Sequence, residues 1–445
     1  MKISIPDFIS KAISVLEING YEAYVVGGCV RDAYLCKIPN DWDVTTSATP
    51  DEMKKVFESF KVIETGIKHG TLSVIIDEQI VEITTMRVDG EYSDNRHPDS
   101  VEFTRNIESD LARRDFTVNA MAYNTSTGLV DPFNGRGDID KKIIKCVGDP
   151  DKRFNEDALR IIRGLRFSSV LDFDIDKATA ESMLKNKALL NNVAKERVRG
   201  ELLKLLCGIR VKSVLMDFAP VIFEIIPELS PMYNFPQNTP YHIFDVWEHT
   251  AVAVESVSPD PILRMAMLLH DSGKPEKHKT DRDGTDHFKF HQQLSFEKSK
   301  AILKKLRFSN SEIEEISNLV LYHDWRPDGD EKKILVMASE LTPEFLLRLI
   351  PVLKADILAK NPDNIPNDLT NVEKTQSVVA DIIKNKPCIN IKDLCVNGND
   401  LKKLGFKGKE IGEMLKRILF LIIDGQLKNN QESVLTYIKK NINCN

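Results

Sequence analysis

The stretch YVVGGCVRDAYL (residues 24–35), closely followed by NDWDVTTSATP (residues 40–50), decides the fold of the N-terminal part of this chain. A β-branched run, then Gly27 and Gly28, then a helix-forming run predict a strand, a tight turn and a helix with free N–H groups. Asp41 and Asp43 follow at the start of another β-branched run, where residues two apart share a face. Two adjacent carboxylates repel unless solvent or a divalent cation such as Mg²⁺ neutralises them. The pattern therefore indicates a site for phosphate and metal, or a polar strand end at the surface.

Two further charged residues extend this pattern. In IVEITTMR (residues 80–87) the alternation turns Glu82 away from Val81 and Ile83, so an acid lies on one face of a strand whose other face is apolar. Arg31, one turn into the predicted helix, can donate two parallel hydrogen bonds to a phosphate. Glu82 is thus a candidate third acid, and a solvated strand face explains it equally well.

Composition limits the class of protein. With 42% hydrophobic and 29% charged residues over 445 positions, the chain is predicted to fold into several globular domains. The formal net charge of −6 requires any nucleic-acid site to be a local patch. The seven cysteines show no CxxC pair, and the N-terminus has no apolar signal region, so we expect a cytoplasmic protein with no membrane partner.

The hydrophobic periodicity changes at about residue 145. Short β-rich runs alternate with helical segments before this point, and apolar residues three and four apart predominate after it. The predicted fold class is a multidomain protein with an α/β head and an all-helical body. Stretches rich in proline and asparagine, from Pro227 and from Ala359, are predicted joints. The predicted domains are a catalytic head (1–145), a helical neck that binds the nucleotide base and RNA (146–225), a helical domain (240–360) and a helical tail (385–445).

Four motifs follow the aspartate pair in a fixed order: LARRDFTVNAMAYN (111–124), LVDPFNGRGDID (129–140), RFNEDALRIIRGLRF (153–167) and AKERVRGELLKLL (194–206). With the glycine turn and the aspartates, they resemble the polymerase β nucleotidyltransferase superfamily. Within it they resemble the bacterial class II CCA tRNA nucleotidyltransferases of the poly(A) polymerase family. The resemblance implies a polymerase β-like head and stepwise addition of C, C and A to immature or damaged tRNA from CTP and ATP, with release of pyrophosphate.

The resemblance also implies roles for particular residues. Asp41, Asp43 and Glu82 are the expected catalytic residues, with Mg²⁺ held by Asp41 and Asp43 and with Glu82 as the candidate third ligand. The expected nucleotide-binding residues are Gly27, Gly28, Arg31, Arg113, Arg114, Asn119, Glu156, Asp157, Arg160, Arg163 and Arg166. Of these, Arg113 and Arg114 are candidate triphosphate ligands, and Asn119, like Asp115, is structural or contacts the sugar.

The pair Asp157 and Arg160 is expected to read the base. On one helix the two residues would be neighbours, with Arg163 and Arg166 continuing the three-residue step. Arg160 can donate to a ring nitrogen while Asp157 accepts from an exocyclic amine, a combination that cytosine and adenine offer and that uracil and guanine do not. Taken without the motifs, an ordinary salt bridge explains the pair equally well.

The polar loop RVDGEYSDNRHPDSVEF (residues 87–103) distinguishes members of this family. In the family such a loop accompanies the switch from adding C to adding A, so its presence favours complete CCA addition. The alternatives are a partial A-adding or CC-adding enzyme, a poly(A) polymerase, or a protein whose main activity is a phosphohydrolase in the helical body.

That last alternative rests on a second constellation of histidines and aspartates in the helical body. Their order along the chain, H, HD, H, H, D, resembles the HD superfamily of metal-dependent phosphohydrolases, and imidazole with carboxylate suits a transition metal. The residues are His249, His270, Asp271, His291, His323 and Asp356.

The tail carries a last candidate contact with RNA. The turn GFKGKEIG (residues 405–412) and its neighbouring lysines can hold an RNA phosphate, although a plain helical hairpin has the same pattern. The expected partners are tRNA, along its acceptor end and TΨC side, with CTP and ATP. The sequence does not determine the oligomeric state.

Overall fold

A computed structural model describes residues 3–64, 66–67, 70–90 and 100–442 of the chain. By its internal contacts the chain divides into two compact units, Met1–Ser230 with Lys305–Phe308, and Pro231–Lys304 with Ser309–Asn445. The division after Ser230 falls within the first predicted joint. The predicted head and neck both belong to the first unit, and the bounds of the four predicted domains stay predictions.

The first unit contains a seven-stranded mixed sheet, two two-stranded sheets and eleven α-helices among the described residues. Its strands are β1 (Ala23–Val26), β2 (Asp43–Thr46), β3 (Lys61–Ile63), β4 (Thr71–Ile76), β5 (Gln79–Thr85), β6 (Arg87–Asp89), β7 (Val101–Phe103), β8 (Ala122–Asn124), β9 (Gly128–Val130), β10 (Ile143–Ile144) and β11 (Asp174–Ile175). Its helices are α1 (Asp7–Ile18), α2 (Gly28–Tyr34), α3 (Pro50–Val56), α4 (Ile107–Ala112), α5 (Gly135–Asp140), α6 (Pro150–Glu156), α7 (Leu159–Leu171), α8 (Lys177–Asn186), α9 (Lys195–Leu206), α10 (Val211–Asp217) and α11 (Ala219–Ile225). Thr117–Asn119 and Lys187–Asn192 are 3₁₀ helices.

The main sheet has seven strands in the order β3-β4-β5-β2-β1-β8-β9. Only the pair of β2 and β5 is parallel, and the other neighbours are antiparallel. The alternation of strand direction is therefore interrupted at the centre of the sheet, where β2 and β5 run the same way. This arrangement brings the start of β2, which follows the glycine turn and α2, beside the middle of β5.

Helix α1 covers one face of this sheet. It packs against β1, β2, β4 and β5, and its buried residues Ile9, Ala12, Ile13 and Leu16 have the three- and four-residue spacing of one helical face. Burial of such a stripe stabilises the helix far more than its own backbone hydrogen bonds do. Another cluster, which includes Tyr24, Val26 and Leu111, joins β1 to α4 and to the segment before β8.

The second unit is helical apart from one two-stranded hairpin. Its helices are α12 (Val246–Ser256), α13 (Pro261–Leu269), α14 (Lys274–Lys277), α15 (His291–Lys305), α16 (Asn310–Tyr322), α17 (Glu331–Leu341), α18 (Pro343–Leu358), α19 (Ile365–Asn385), α20 (Gly398–Lys403), α21 (Lys409–Ile423) and α22 (Gln431–Ile442), and its strands are β12 (Lys279–Thr280) and β13 (Asp286–His287). Pro227–Met232 at the boundary, Pro362–Asn364 and Ile391–Asp393 are 3₁₀ helices. The predicted fold class, an α/β head before a helical body, is confirmed.

The second predicted joint differs from the structure. From Ala359 the chain forms a 3₁₀ turn and then α19, which packs along α18, so the chain does not divide there. Asn361 caps the turn through Asp363, which explains why residues typical of loops occur at this position. Among the helices of the described ranges, none combines the length and apolar character needed to cross a membrane.

Candidate active site and metal cluster

The three predicted catalytic acids lie around the junction of β2 and β5. Asp43 is the first residue of β2, and its Cα pairs with that of Glu82 on β5. Val81 and Ile83 are buried while Glu82 is exposed, as the alternation predicts. Asp41 precedes the strand, so it is placed by the loop after α2 and not by strand periodicity. The sheet register therefore brings Glu82 beside Asp43, and Asp41 is two residues away along the chain.

The surroundings of Asp43 disfavour its negative charge. Protein atoms that partly desolvate the carboxylate raise its pKa, the nearby Asp41 raises it further, and the guanidinium of Arg114 offsets part of this effect. An acid whose charge is disfavoured by a second acid is what a divalent cation would relieve. Asp41, Asp43 and Glu82 line one cavity of about 740 Å³, together with Trp42 and Ile80.

The glycine turn before α2 leaves room for an arginine. Gly27 has a φ of +79°, which favours glycine, and a Cβ at this position would lie 2.9 Å from Nη1 of Arg114. A side chain there would displace Arg114. Arg31 is buried and donates to Asp32 (2.8 Å) and to Oδ1 of Asn119 (2.5 Å). The structure thus holds Arg31 through protein partners beside the turn.

Arg113 and Arg114 are both held by Asp110, a fully buried acid that the sequence interpretation missed. Nε of Arg113 lies 2.9 Å from Oδ1 of Asp110, and Nη2 of Arg114 lies 3.4 Å from its Oδ2. Asp110 also accepts a hydrogen bond from the backbone N–H of Arg87 (3.2 Å). An acid three and four residues before an arginine pair on a predicted helix is the signal that could have found it.

The expected base-reading pair does not lie on one helix, which corrects the prediction. α6 ends at Glu156, Asp157 is extended with a φ of −137°, and α7 begins at Leu159. The reason is local, because the carboxylate of Asp157 accepts a hydrogen bond from the N–H of Leu159 (3.0 Å), the first residue of α7, and holds the chain extended between the two helices. Asp157 pairs loosely with Arg197 at 3.6 Å.

Arg160 is engaged by other groups. It is buried and donates to Glu156 (2.7 Å), to the carbonyl oxygen of Arg113 (2.9 Å) and to that of Arg153 (3.2 Å). Glu156 therefore orients Arg160, and the contact with Arg113 joins the base-reading residue to a predicted triphosphate ligand. The structure gives Arg160 an ion pair with Glu156, at 2.7 Å.

Two further arginines of α7 pair with buried acids. Arg163 donates twice to Asp115, at 2.9 and 2.6 Å, and Arg166 lies 2.8 Å from Glu201 of α9. Burial alone would raise the pKa of Asp115, but the charge and hydrogen bonds of Arg163, with the charge of Arg160, lower it to about 2. Asn119 donates to the same carboxylate at 3.3 Å. Asp115 and Asn119 thus connect the two arginine-bearing helices α2 and α7.

The loop of residues 87–103 is described only at its ends. β6 and β7 pair as an antiparallel ladder in which Arg87 faces Phe103. Residues 91–99 lie outside the described residues.

In the second unit, the six predicted metal ligands come together from five helices and their ends. All six are buried, with none more than 7% exposed. Among the described residues, two groups have ligand atoms all within 4.8 Å of one another: His249, His270 and Asp271, and Asp271, His291 and His323. Asp356 completes the first group, with Oδ1 3.2 Å from Nε2 of His249. We call these six residues the His/Asp cluster. No such tight group contains Asp41, Asp43 or Glu82 in the described ranges.

The hydrogen bonds of the four histidines favour the tautomer that can bind a cation through Nε2. Each Nδ1 contacts a backbone carbonyl oxygen, at 3.0 Å for His249, 2.6 Å for His270, 2.9 Å for His291 and 2.6 Å for His323. Nδ1 must carry the proton in these contacts, so in the neutral rings each Nε2 presents a lone pair. The Nε2 atoms nevertheless meet in pairs, 3.3 Å apart for His249 and His270 and 3.2 Å apart for His291 and His323. Facing lone pairs of neutral rings repel, and either a proton on one ring, which makes the contact a hydrogen bond, or a metal ion would relieve that repulsion.

Asp271 lies at the centre of the cluster. Its Oδ2 is 3.2 Å from His270 and its Oδ1 is 3.2 Å from His291, yet neither buried oxygen accepts a hydrogen bond of normal geometry from the described residues. Lys274, with Nζ 2.7 Å from Oδ2, supplies positive charge. Burial alone would raise the pKa of Asp271, but His270 and Lys274 hold it well below its usual range. The carboxylate is therefore ionised and available to a cation.

Comparison with known proteins supports one family for the whole chain. The model of the "Poly A polymerase head domain" matches residues 23–145, that of the "Probable RNA and SrmB- binding site of polymerase A" matches 172–219, and that of the tRNA nucleotidyltransferase domain 2 matches 286–438. The crystal structure of the Bacillus stearothermophilus CCA-adding enzyme in complex with CTP is 26% identical, with a TM-score of 0.72, and the match covers 98% of this chain and 97% of that one.

Curated relatives agree with this match over nearly their whole length. The CCA-adding enzyme of Enterococcus faecalis is 31% identical over 99% of this chain and 98% of its own. That of Streptococcus thermophilus is 32% identical over 99% of both chains. Because the similarity extends through the acids of the first unit and through the helical body, the chain belongs to the CCA-adding enzyme family.

Proposed function

We propose that this protein adds C, C and A stepwise to the 3′ end of immature or damaged tRNA, using CTP and ATP and releasing pyrophosphate. The observation that carries the proposal is the pairing of Asp43 with Glu82 on β2 and β5, beside Asp41 and Arg114. Family membership supports the same activity, and the solved relative with bound CTP supports the nucleotide. The comparisons give no support to a poly(A) polymerase, a partial adder or a phosphohydrolase as the main activity.

In the proposed reaction, the 3′ oxygen of the tRNA attacks the α-phosphorus of the bound nucleotide. The new P–O bond replaces the bond to the β-phosphate oxygen, and pyrophosphate leaves. Asp41, Asp43 and Glu82 would hold Mg²⁺, which supplies positive charge for the attacking and leaving oxygens. Arg113 and Arg114, held by Asp110, would bind the triphosphate through their remaining N–H groups.

Selection of C and A falls to Asp157 and Arg160. Asp157 accepts a hydrogen bond from the N–H of Leu159 and Glu156 holds Arg160, so both side chains are positioned at the junction of α6 and α7. Arg160 would donate to N3 of cytosine or N1 of adenine, and Asp157 would accept from the exocyclic amine. We propose full addition of CCA because the curated relatives are CCA-adding enzymes and the loop of residues 87–103 has the length expected of one.

The helical body is proposed to bind the tRNA along its acceptor end and TΨC side. The turn between α20 and α21 supports a phosphate contact, because Gly405 and Gly408 have positive φ and lysines lie on both sides. We also infer a cytoplasmic location, supported by six free cysteines among the described residues.

The His/Asp cluster is proposed to bind a transition metal. The support is the four histidines with Nδ1 donating to carbonyl groups and Nε2 converging on Asp271 and Asp356. Imidazole and carboxylate ligands together favour Mn, Fe, Co, Ni or Zn. Assignment of this region to the HD type stays a prediction.

Incorporation of labelled CMP and AMP into a tRNA transcript without its CCA end tests the main proposal. The purified chain with Mg²⁺, CTP and ATP should extend the transcript. The Asp41→Ala, Asp43→Ala double variant should not extend it, although it should keep the melting temperature of the unaltered chain within a few degrees. Extension of the transcript by the double variant would show that the site around Asp43 is not the active site.

A further inference from the structure

Three guanidinium groups surround the ring of Phe167 in α7. Cζ of Arg166 lies 4.0 Å from the ring centroid, Cζ of Arg31 lies 5.3 Å away and Cζ of Arg163 lies 5.4 Å away. Phe167 is only 7% exposed, and attraction between a cation and an aromatic face is stronger where water is excluded. We propose that Phe167 is a positioning residue for the nucleotide, acting through these three arginines. The inference rests on the proposed nucleotidyltransferase function.

The charges around the ring are balanced one for one. Arg31 pairs with Asp32 at 2.8 Å, Arg163 with Asp115 at 2.6 Å and Arg166 with Glu201 at 2.8 Å. The carboxylates compensate the charges, although the contact of Arg166 with Glu201 lacks hydrogen-bond geometry. The electron-rich face of the Phe167 ring attracts the guanidinium groups and so stabilises them further. Three like charges can therefore stand within 5.4 Å of one ring centroid.

The ring also joins two parts of the candidate active site. Arg31 belongs to α2, directly after the glycine turn, whereas Arg163 and Arg166 follow Arg160 along α7. Asn119 connects the same two helices, since it accepts from Arg31 at 2.5 Å and donates to Asp115 at 3.3 Å. A change at Phe167 would thus move groups on the proposed triphosphate side and on the base side together.

A simple packing role is the competing explanation. Phe116 meets the ring edge to face, with centroids 5.8 Å apart and planes at 77°, so Phe167 does fill space in the core. Packing depends on the shape of the ring, whereas attraction to the arginines depends on its electron density. Fluorination separates the two, because pentafluorophenylalanine keeps nearly the same shape and removes the negative face.

Binding of CTP to the full chain in the absence of RNA, measured by equilibrium dialysis, tests the inference. Four forms are compared with the unaltered chain: Phe167→Leu, Phe167→Tyr, pentafluorophenylalanine at position 167, and the control Phe57→Leu. Phe57 is fully buried and packs against Phe60 in the same unit. In the described part of the chain, no arginine lies over its ring. Phe57→Leu therefore measures the effect of a similar core cavity without the three arginines.

The inference predicts that the Leu and pentafluoro forms weaken CTP binding about tenfold. Phe167→Tyr and Phe57→Leu should remain within about twofold of the unaltered chain. CTP binding by the pentafluoro form equal to that of the unaltered chain would overturn the inference, even if Phe167→Leu failed to fold. An equal loss in Phe57→Leu would also overturn it. If the unaltered chain bound no CTP, the proposed function would fail first, and the inference with it.

Discussion

Asp43 of β2 and Glu82 of β5 occupy paired positions on two parallel strands at the centre of the main sheet. The two acids are far apart in sequence, so their proximity depends on the register of this one strand pair. A slip by one residue would turn Glu82 into the core and bring Val81 or Ile83 to the surface. Burial of Val81 and Ile83 therefore fixes the position of the acid between them.

Removing the charge of Asp43 or Glu82 should abolish nucleotide addition while leaving the fold intact. Asp43→Asn and Glu82→Gln each remove one anionic oxygen ligand, and loss of metal-assisted stabilisation worth several kcal/mol corresponds to at least about a thousandfold in rate. Single-turnover addition of CMP to a tRNA transcript measures the change. Glu58→Gln, an exposed acid in the turn after α3 and outside the lining of this cavity, is the matched control and should retain the rate. Addition of CMP at the normal rate by Glu82→Gln would show that Glu82 is not a catalytic residue.

Changing the base-reading residues should alter selection more than binding. Asp157→Asn replaces an acceptor by a group that can also donate, and Arg160→Ala removes the donor, so UTP and GTP should gain about 10- to 100-fold relative to CTP and ATP. Competition assays with all four nucleotides give these ratios. Asp172→Asn, at the left-handed C-terminal end of the same α7, controls for helix stability and should keep the selectivity. Unchanged selection of C and A in Arg160→Ala would exclude its role as a template.

Because of Asp115, the free energy of unfolding should depend on pH in the acidic range. Its pKa is about 2 in the folded chain and 3.8 as a reference, so the folded state favours the ionised form. The stabilisation, roughly 2 kcal/mol, is complete above about pH 4 and is lost as the pH falls towards 2. Urea unfolding of the unaltered chain and Asp115→Asn at several pH values measures it. The gap in the free energy of unfolding should be largest at neutral pH and should shrink below pH 4. A gap independent of pH would show that the charge of Asp115 does not stabilise the fold.

The His/Asp cluster should bind metal independently of nucleotide addition. His270→Ala with Asp271→Ala removes two ligands at the centre of the cluster, so Co²⁺ retained after dialysis should fall to background while CMP addition continues. The Asp41→Ala, Asp43→Ala variant should show the reverse. His287→Ala is the control, since His287 pairs with Asp281 outside the cluster. Full Co²⁺ retention by the His270, Asp271 double variant would contradict the metal proposal.

Local patterns in the sequence predict much of the first unit. Alternation predicts that Glu82 is exposed between buried neighbours, and the double glycine predicts the turn before α2. The pairing of β2 with β5 is a long-range contact, and no local pattern specifies which strands become neighbours. The resemblance to a known family, rather than periodicity, brought Asp43 and Glu82 together in the prediction.

The neck shows where helical spacing misleads. A continuous apolar pattern through RFNEDALRIIRGLRF predicts one helix, but the carboxylate of Asp157 binds the N–H of Leu159, and the chain is extended at Asp157 between α6 and α7. Asp competes with helical hydrogen bonds in this way because its short side chain reaches nearby N–H groups. Asp110 was missed although its spacing to Arg113 and Arg114 was visible in the sequence, whereas the contact of Phe167 with Arg31 forms only in the folded unit.

The 3′ ends of the reaction product test the central claim most directly. A tRNA transcript without CCA is incubated with the full chain, Mg²⁺, CTP and ATP, and the ends are sequenced. The account predicts ends that finish in CCA and stop there, and ends that finish in CC when ATP is omitted. Ends with C only, A only or a tail of A in the complete mixture would contradict full CCA addition, and the absence of any extension would contradict the nucleotidyltransferase assignment itself.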